Sequence, residues 1–340
     1  MNSEPKNVSR RCCKIDNVIK EPFFSLTDYK NNLFISNKLD DIKKFYNSFQ
    51  RRDDLIEWMK ERPTGPAYLR EIEGNTDIIV VIPTADFNGK YSKECRENIF
   101  NGLHIIFVES GERPDFYFNG AHNENIGIKR AMEYKPNWIV LSNDDMVKEE
   151  DISVLVGQLR KINPKETGIV FCSPGSNYHS KEEYVSTNRK IRSVVNAFLP
   201  LAQREAFKVN RRFGTKFFLT GNSTVHSFLY KKIFKFKDTV AFGIYSSEMI
   251  EDFISKFGYF FDETYINCGE ESDLAIRVQK SRWKIGEVKF RIKPLIGSTL
   301  GNSISRYLRD QAGNIYLSTK LEELFALGVQ LNLNSSIFTE

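Results

Sequence analysis

Residues 125–145 read NIGIKRAMEYKPNWIVLSNDD. In the first half, Ile128, Ala131 and Met132 fall at i, i+3 and i+4, which places apolar side chains on one face of a helix over Asn125 to Tyr134. In the second half, Trp138 to Leu141 is apolar on both faces, as suits a strand buried in a parallel sheet. That run stops abruptly at Ser142-Asn143-Asp144-Asp145-Met146. The pattern continues on either side after Gly74, with short β-branched runs at Ile78 to Ile82, Ile105 to Val108 and Ile169 to Cys172, and a further helix at Lys93 to Asn101. A β-α-β-α-β succession with right-handed crossovers predicts an α/β fold with a doubly wound, mostly parallel sheet flanked by helices. Ligands of such sheets sit beyond the carboxyl ends of the strands.

Those ends are polar. The first strand runs into Pro83-Thr84-Ala85, the second into Glu109-Ser110-Gly111, and the third into Asn143-Asp144-Asp145. Two adjacent aspartates repel each other and lose hydration unless a cation or a set of donors compensates them. A divalent metal is one solution, and a turn or helix cap is the other, because Asn and Asp favour both. Further along, Glu270, Glu271 and Asp273 precede Leu274, Ala275, Ile276 and Val278. Acids in that position suit a helix N-terminus through the helix dipole, whether or not they also carry chemistry.

The order of these features resembles the family 2 glycosyltransferases of the GT-A fold, rhamnosyltransferase-like members above all, over Ile78 to Lys320. Asn125-Ile126-Gly127-Ile128 with Ala131, followed by Trp138 to Asp145, is similar to that family's N-x-G-I-x-x-A helix and D-x-D strand. Phe261-Asp262-Glu263 and Gly269-Glu270-Glu271-Ser272-Asp273-Leu274 with Arg277 are similar to its F-D-E and E-D-x-D-L-x-x-R motifs. Each motif is short, and their joint order carries the resemblance.

The resemblance implies a glycosyltransferase that uses a nucleoside-diphosphate sugar, with a GT-A domain over 76–325. Its nucleotide-sugar-binding half is 76–175 and its acceptor-binding half 176–325, after a helical N-terminal extension (1–75) and before a tail (326–340). Thr84, with Pro83 and Ala85 beside it, and Glu109 are implied to contact the base, Asn125 to support the nucleoside, and Asn143 and Asp144 to lie near ribose and phosphate. Asp145 is implied to bind Mn²⁺ or Mg²⁺, which would neutralise the leaving diphosphate as a Lewis acid. Glu271 stands where the family's base stands, with Glu270 and Asp273 as the other catalytic candidates; inverting transfer needs one base to take the acceptor hydroxyl proton. Arg306 and Arg309 are candidate diphosphate contacts, since guanidinium pairs bidentately with phosphate, or else solvated helix arginines.

Two departures stand out. The family carries Asp where this chain has Glu271, and the stretch Lys293-Pro294-Leu295-Ile296-Gly297-Ser298 lacks the His that helps many relatives hold the metal. These motivate the alternative of a catalytically degenerate GT-A-fold protein that binds nucleotide-sugar or serves as a scaffold.

The rest of the chain sets limits. Of 340 residues, 41% are hydrophobic and 27% charged, ordinary for a globular protein. No apolar run approaches the roughly 18 residues that cross a bilayer, and the polar start has no secretory signal, so a cytoplasmic protein is expected. Five scattered cysteines without C-x-x-C spacing point to reduced structural thiols, with Cys12-Cys13 beside Arg10 and Arg11 as an acylation candidate. His104, His122, His179 and His226 are too far apart in sequence to form a metal pair.

Asp40 to Arg62 reads as one charged helix stopped by Pro63, Gly65 and Pro66, and residues up to about 75 show no strand-like run. Phe218-Leu219-Thr220-Gly221 resembles the strand lining the family's acceptor pocket, and His226 to Lys256 reads as an insertion that builds acceptor specificity. Residues 181–240 hold 13 Lys and Arg against 4 Asp and Glu. Within them, Val194 to Phe213 mixes apolar and basic residues, with Pro200 interrupting any helix. That composition suits peripheral contact with the inner membrane face, a lipid-linked acceptor, or internal packing with a basic exterior. Glycan and protein acceptors are equally compatible, and no nucleic-acid partner is expected because no reading motif accompanies the basic residues.

Overall fold

Alternating burial along one strand organises the molecule. In the computed structural model, Ile78, Val80 and Ile82 face one apolar layer and Ile79 and Val81 another, all at most 1% exposed. A strand covered on both faces must be apolar throughout. The structure describes residues 26–110, 117–173, 178–186, 200–220, 230–239, 241–266, 268–295 and 303–326. Cys12-Cys13, the stretch 194–199, His226 and its neighbours, Ile296 to Ser298 and residues 327–340 lie outside them.

Three helices come first: α1 (Leu26–Ile35), α2 (Leu39–Asn47) and α3 (Arg52–Glu61). The charged helix expected over Asp40 to Arg62 is thus two helices, separated where Arg51 adopts extended backbone and forms a capping box with Asp54. Then follow β1 (Tyr68–Ile72), β2 (Asn75–Thr84), α4 (Lys90–Glu94) running into a π-turn at Cys95–Ile99, β3 (Leu103–Glu109), α5 (Gly120–Met132), β4 (Trp138–Ser142), β5 (Met146–Lys148), α6 (Ile152–Leu159) and β6 (Thr167–Ser173). The second half holds β7 (Tyr178–Ser186), α7 (Leu201–Arg212), β8 (Phe217–Thr220), β9 (Tyr230–Thr239), β10 (Phe242–Ser246), α8 (Ser247–Phe257), α9 (Glu270–Gln279), β11 (Lys284–Lys289), β12 (Ile292–Pro294), α10 (Ile304–Arg309) and α11 (Gln311–Ala326).

The fold is α/β. Seven strands form a mixed, mostly parallel central sheet in the order β1-β3-β2-β4-β10-β6-β11, with β1 and β10 antiparallel to their neighbours. Helices cover both faces, α6 and the turn after α4 on one, α5, α8 and α9 on the other. A three-stranded antiparallel sheet, β8-β7-β9, and the pair β12-β5 complete the strands.

Two strands differ from the sequence reading. Tyr68–Ile72, inside the segment expected to be helical, pairs with β3 as an edge strand whose first three residues are exposed, so it carries no apolar run. Glu71 anchors it by accepting hydrogen bonds from Arg130 Nε (2.7 Å) and Tyr134 OH (2.6 Å) of the α5 region, with His104 Nε2 at 3.0 Å. The second is Phe242–Ser246. It falls within the expected insertion, yet all five residues are buried in mid-sheet between β4 and β6.

The N-terminal helices share a third core with the second half, in which Phe45, Phe49 and Trp58 pack with Ala206, Val209, Tyr265, Leu308 and Leu317. Pro200 starts α7 instead of interrupting it, as its fixed φ and missing N–H allow at a helix start. Lys208, Arg211 and Arg212 stay exposed while Ala206, Phe207 and Val209 turn inward. Among the described residues, no helix is long and apolar enough to cross a membrane.

Helix packs closely on sheet at Gly127 of α5, where an added Cβ would stand 2.2 Å from Val81 Cγ1 and 2.9 Å from Val108 Cγ2. Alanine favours a helix interior over glycine by about 1 kcal/mol. Both obstructing residues are β-branched and stiff in χ1, so overpacking wins. Gly127→Ala should lose a net ~1–2 kcal/mol, read as a lower urea midpoint at unchanged slope.

Candidate active site at the carboxyl edge of the sheet

The carboxyl ends of β2, β3 and β4 meet at one edge, and hydrogen bonds tie them together. Thr84 Oγ1 donates to Asp144 Oδ2 at 2.7 Å and lies 2.9 Å from Ser92 Oγ, which donates to the Asp86 carbonyl at 2.7 Å. The Ser110 amide donates to the Thr84 carbonyl at 2.9 Å. Glu109 Oε1 accepts from the Phe87 amide at 3.0 Å, and its Oε2 accepts from Arg70 Nε at 3.3 Å. Thr84, Glu109 and Asp144 thus converge, with Pro83 and Ala85 on either side of Thr84, half-buried.

The adjacent aspartates have different surroundings. Asp144 is half-buried and bonded to Thr84, whereas Asp145 is 7% exposed, with its carbonyl accepting from the Leu295 amide at 2.8 Å. Asn143 is exposed, and its amide donates to the Ala241 carbonyl at 2.8 Å. The carboxylates are hard oxygen ligands of the kind Mg²⁺ and Mn²⁺ take. Among the described residues, however, no group of three His, Cys, Asp or Glu side chains could hold a metal. A cation on Asp145 would need most of its shell from donor oxygens and water.

Several other expected site residues are engaged elsewhere. Asn125 clamps a loop: its Nδ2 donates to the Phe261 carbonyl (2.8 Å) and Glu263 Oε1 (3.0 Å), and its Oδ1 accepts from the Phe261 amide (3.1 Å). Both ends of the Asn125 amide are engaged there. Asp273 Oδ2 accepts from Arg277 Nε at 2.9 Å and its Oδ1 from Lys320 Nζ at 3.1 Å, which places it between two cations. Lys320 also donates to Asp262 at 2.6 Å, and Tyr316 OH does so at 2.9 Å. Arg309 Nη1 donates to the Ile35 carbonyl at 3.1 Å, which ties α10 to the end of α1; burial pulls its pKa down. Arg306 lies on the same short helix.

Of the three catalytic candidates only Glu271 opens on the sheet edge. It lines a small hollow of about 20 Å³ with Ser142, Asn143, Ala241, Tyr245 and Glu124, room for about one water. Gly269, at φ +104°, begins α9 in a conformation that glycine adopts without strain. Ala241 reaches φ +55° at the entrance to β10, an uncommon conformation for a residue with a Cβ.

Glu124 is absent from the residues that the sequence reading singles out. It follows Ala121 by three positions and precedes Ile128 by four, on the buried stripe of α5. An acid on an apolar stripe was the signal available. Its Oε2 is sealed from solvent and has no hydrogen-bond partner among the described residues. Burial, and then the nearby Glu271 carboxylate, hold its pKa well above the ordinary glutamate value. His104 and His122 are each beside a glutamate, Glu71 and Glu263.

No family model matches the chain, and no curated protein or solved structure matches it.

Two outcomes follow from these ionisations. Burial opposes the charge of Asp262, but Lys320 and the Thr264 amide outweigh it and hold its pKa below the usual carboxylate value. Its stabilisation is therefore full above about pH 4 and is lost as pH falls further. Lys320→Met should cost ~3 kcal/mol at pH 7 and move acid unfolding to higher pH, followed by circular dichroism. Glu124 has the opposite sign: its raised pKa means the folded state holds the proton more tightly, so stability declines as pH climbs above about 4.5. Glu124→Gln should be more stable than the wild type at pH 8, with the gap narrowing toward pH 4 in urea titrations.

Proposed function

We propose that this chain is a glycosyltransferase that moves a sugar from a nucleoside-diphosphate sugar to an acceptor hydroxyl with inversion. The observation that carries the reading is the convergence of Thr84, Glu109 and Asp144 at the carboxyl edge of the sheet, with Glu271 facing that edge from α9 across the hollow. Polar groups at that edge suit a nucleotide, and a carboxylate on the opposite wall suits a base. The order of motifs along the chain supports the same reading.

In the proposed reaction the acceptor oxygen forms a bond to the anomeric carbon from the side opposite the diphosphate. Its proton passes to Glu271, and the electron pair of the breaking carbon–oxygen bond leaves with the diphosphate. A divalent cation on Asp145 would supply Lewis acidity to that leaving group. Asn143 and Asp144 would position the donor. Asn125 takes an indirect part, fixing the loop beside Glu271. The acceptor is a glycan, a lipid-linked sugar or a protein. The exposed Lys208, Arg211 and Arg212 would favour peripheral contact with the inner membrane face in the lipid-linked case.

The test is release of UDP, GDP or dTDP from a panel of sugar nucleotides with Mn²⁺ present. Glu271→Gln should lower kcat by roughly 10²–10⁴-fold, and Asp145→Ala should abolish turnover. Equal turnover in both variants sinks the site. Calorimetric binding of a nucleotide-sugar without turnover favours the second reading, a nucleotide-sugar-binding scaffold, which the missing His and the Glu at position 271 motivate.

A further inference from the structure

Lys289-Phe290-Arg291-Ile292-Lys293 alternates basic and apolar residues where β11 gives way to β12. Burial alternates with it: Phe290 and Ile292 are each 1% exposed, whereas Lys289, Arg291 and Lys293 are open to solvent. Successive side chains of an extended chain take opposite sides, so the three cations share one. Beside this row lies a second cavity, of about 290 Å³, lined by Lys289, Phe290 and Arg291 with Ser173 from the end of β6 and Glu150 from the segment between β5 and α6. It is far roomier than the hollow at Glu271 and close to the roughly 300 Å³ at which small-ligand pockets begin.

The cations of this cavity are held in place and not spent. Gln158 of α6 clamps the Lys289 backbone as a neighbouring strand would: the Lys289 amide donates to Gln158 Oε1 at 2.8 Å, and Gln158 Nε2 donates to the Lys289 carbonyl at 2.5 Å. Glu150 fixes the other cation. Its Oε2 accepts from the Arg291 amide at 2.7 Å, and its Oε1 stands 3.6 Å from Arg291 Nε, too far for a hydrogen bond. The two Nη groups of Arg291 and the ammonium of Lys289 have no acceptor among the described residues. The adjoining chain brings no counter-charge either, for neither Asp nor Glu occurs in 174–181 or 295–309. Glu287, two residues before Lys289, is exposed and does not line the cavity. Two cations against one carboxylate leave the cavity positive.

We propose that this cavity binds a phosphate group carried by a small soluble molecule, a phosphate monoester. Arg291 offers its Nη donors in a fixed fork, Lys289 a mobile ammonium, and Ser173 a hydroxyl. Donors from three residues on separate parts of the wall suit a tetrahedral anion with three free oxygens. A carboxylate would be satisfied by the guanidinium alone. The cations stand on the wall of a concavity, which a soluble molecule can enter and a bilayer surface cannot. The site lies on the same edge of the sheet as Thr84, Glu109 and Asp144, because β4 and β6 are both antiparallel to β10 and β11 is parallel to β6. Three strand spacings separate β4 from β11, roughly 14 Å at about 4.8 Å each. It is thus a second site, independent of the chemistry at Asp145.

Calorimetric titration of the full chain with glycerol 3-phosphate is the test, at low ionic strength and with EDTA present so that no metal bridges phosphate to Asp145. Saturable binding of one equivalent is expected. Lys289→Gln with Arg291→Gln should weaken it by roughly tenfold or more. Lys60→Gln with Lys129→Gln, exposed lysines elsewhere whose loss removes the same charge, should leave it nearly unchanged. Should the first double variant fail to fold by circular dichroism, Lys289→Gln alone should still weaken binding about tenfold, since its ammonium has no structural partner among the described residues. Absence of binding, or equal weakening in the two double variants, overturns the proposal. Acetate bound as tightly as glycerol 3-phosphate refutes phosphate as the group recognised. Binding confined to phosphatidic acid in phosphatidylcholine vesicles refutes the soluble ligand.

Discussion

A single ammonium group, Lys320 Nζ, sits between the carboxylates of Asp262 and Asp273 and ties α11 to two neighbouring segments some fifty residues earlier in the chain. Burial opposes its charge, yet the two aspartates outweigh burial and hold its pKa above the ordinary lysine value. Without it, two carboxylates that are each under 10% exposed would face each other with only Arg277 to balance them. With it, α11 is pinned to the start of α9 and to the loop before it. The loop passes the constraint on through Asn125 to α5. Both walls of the hollow therefore inherit their positions from one cation that does not line it.

This arrangement separates the acids by task. The hydrogen-bonding capacity of Asp262 and Asp273 is taken up by Lys320, Arg277, Tyr316 and the Thr264 amide. Glu124 has the reverse surroundings: burial, and then the nearby Glu271 carboxylate, raise its pKa. Asp262 and Glu124, groups of the same chemistry, are thus set on opposite sides of the ordinary carboxylate range by what packs against them. Perturbed acids in a cleft are a signature of chemistry, whereas perturbed acids in an ion-pair cluster are a signature of architecture.

The parts of the fold legible in the sequence were those where burial is symmetric. β2, β3, β4 and β6 are covered on both faces, so their apolar runs stand out whatever surrounds them. β1 was not legible, because an exposed edge strand may be as polar as a loop: Tyr68, Leu69 and Arg70 face solvent. β10 was hidden differently. Phe242 to Ser246 includes Gly243 and follows a lysine-rich stretch, and its burial comes from β4 and β6, distant in sequence. At the site, Thr84, Glu109 and Asp144 were legible because strand ends of a parallel sheet fall together by topology. The inward turn of Asn125 and the pairing of Asp273 depend on Phe261 and Lys320, which no local pattern announces. Glu124 lay between these cases: its position on the apolar stripe of α5 was readable, its approach to Glu271 was not.

The place of β10 has a bearing on how the chain is made. β4 and β6 come off the ribosome in close succession, yet they do not pair with each other; the space between them is reserved for residues 242–246. Until those residues emerge, a nascent chain would carry two apolar strand edges with open hydrogen-bonding groups, the condition under which strands seek wrong partners. Any division of the gene between β6 and β10 would leave the first product with that unfilled slot. The molecule is in this respect indivisible, because its central sheet is complete only once residues 242–246 fill that slot.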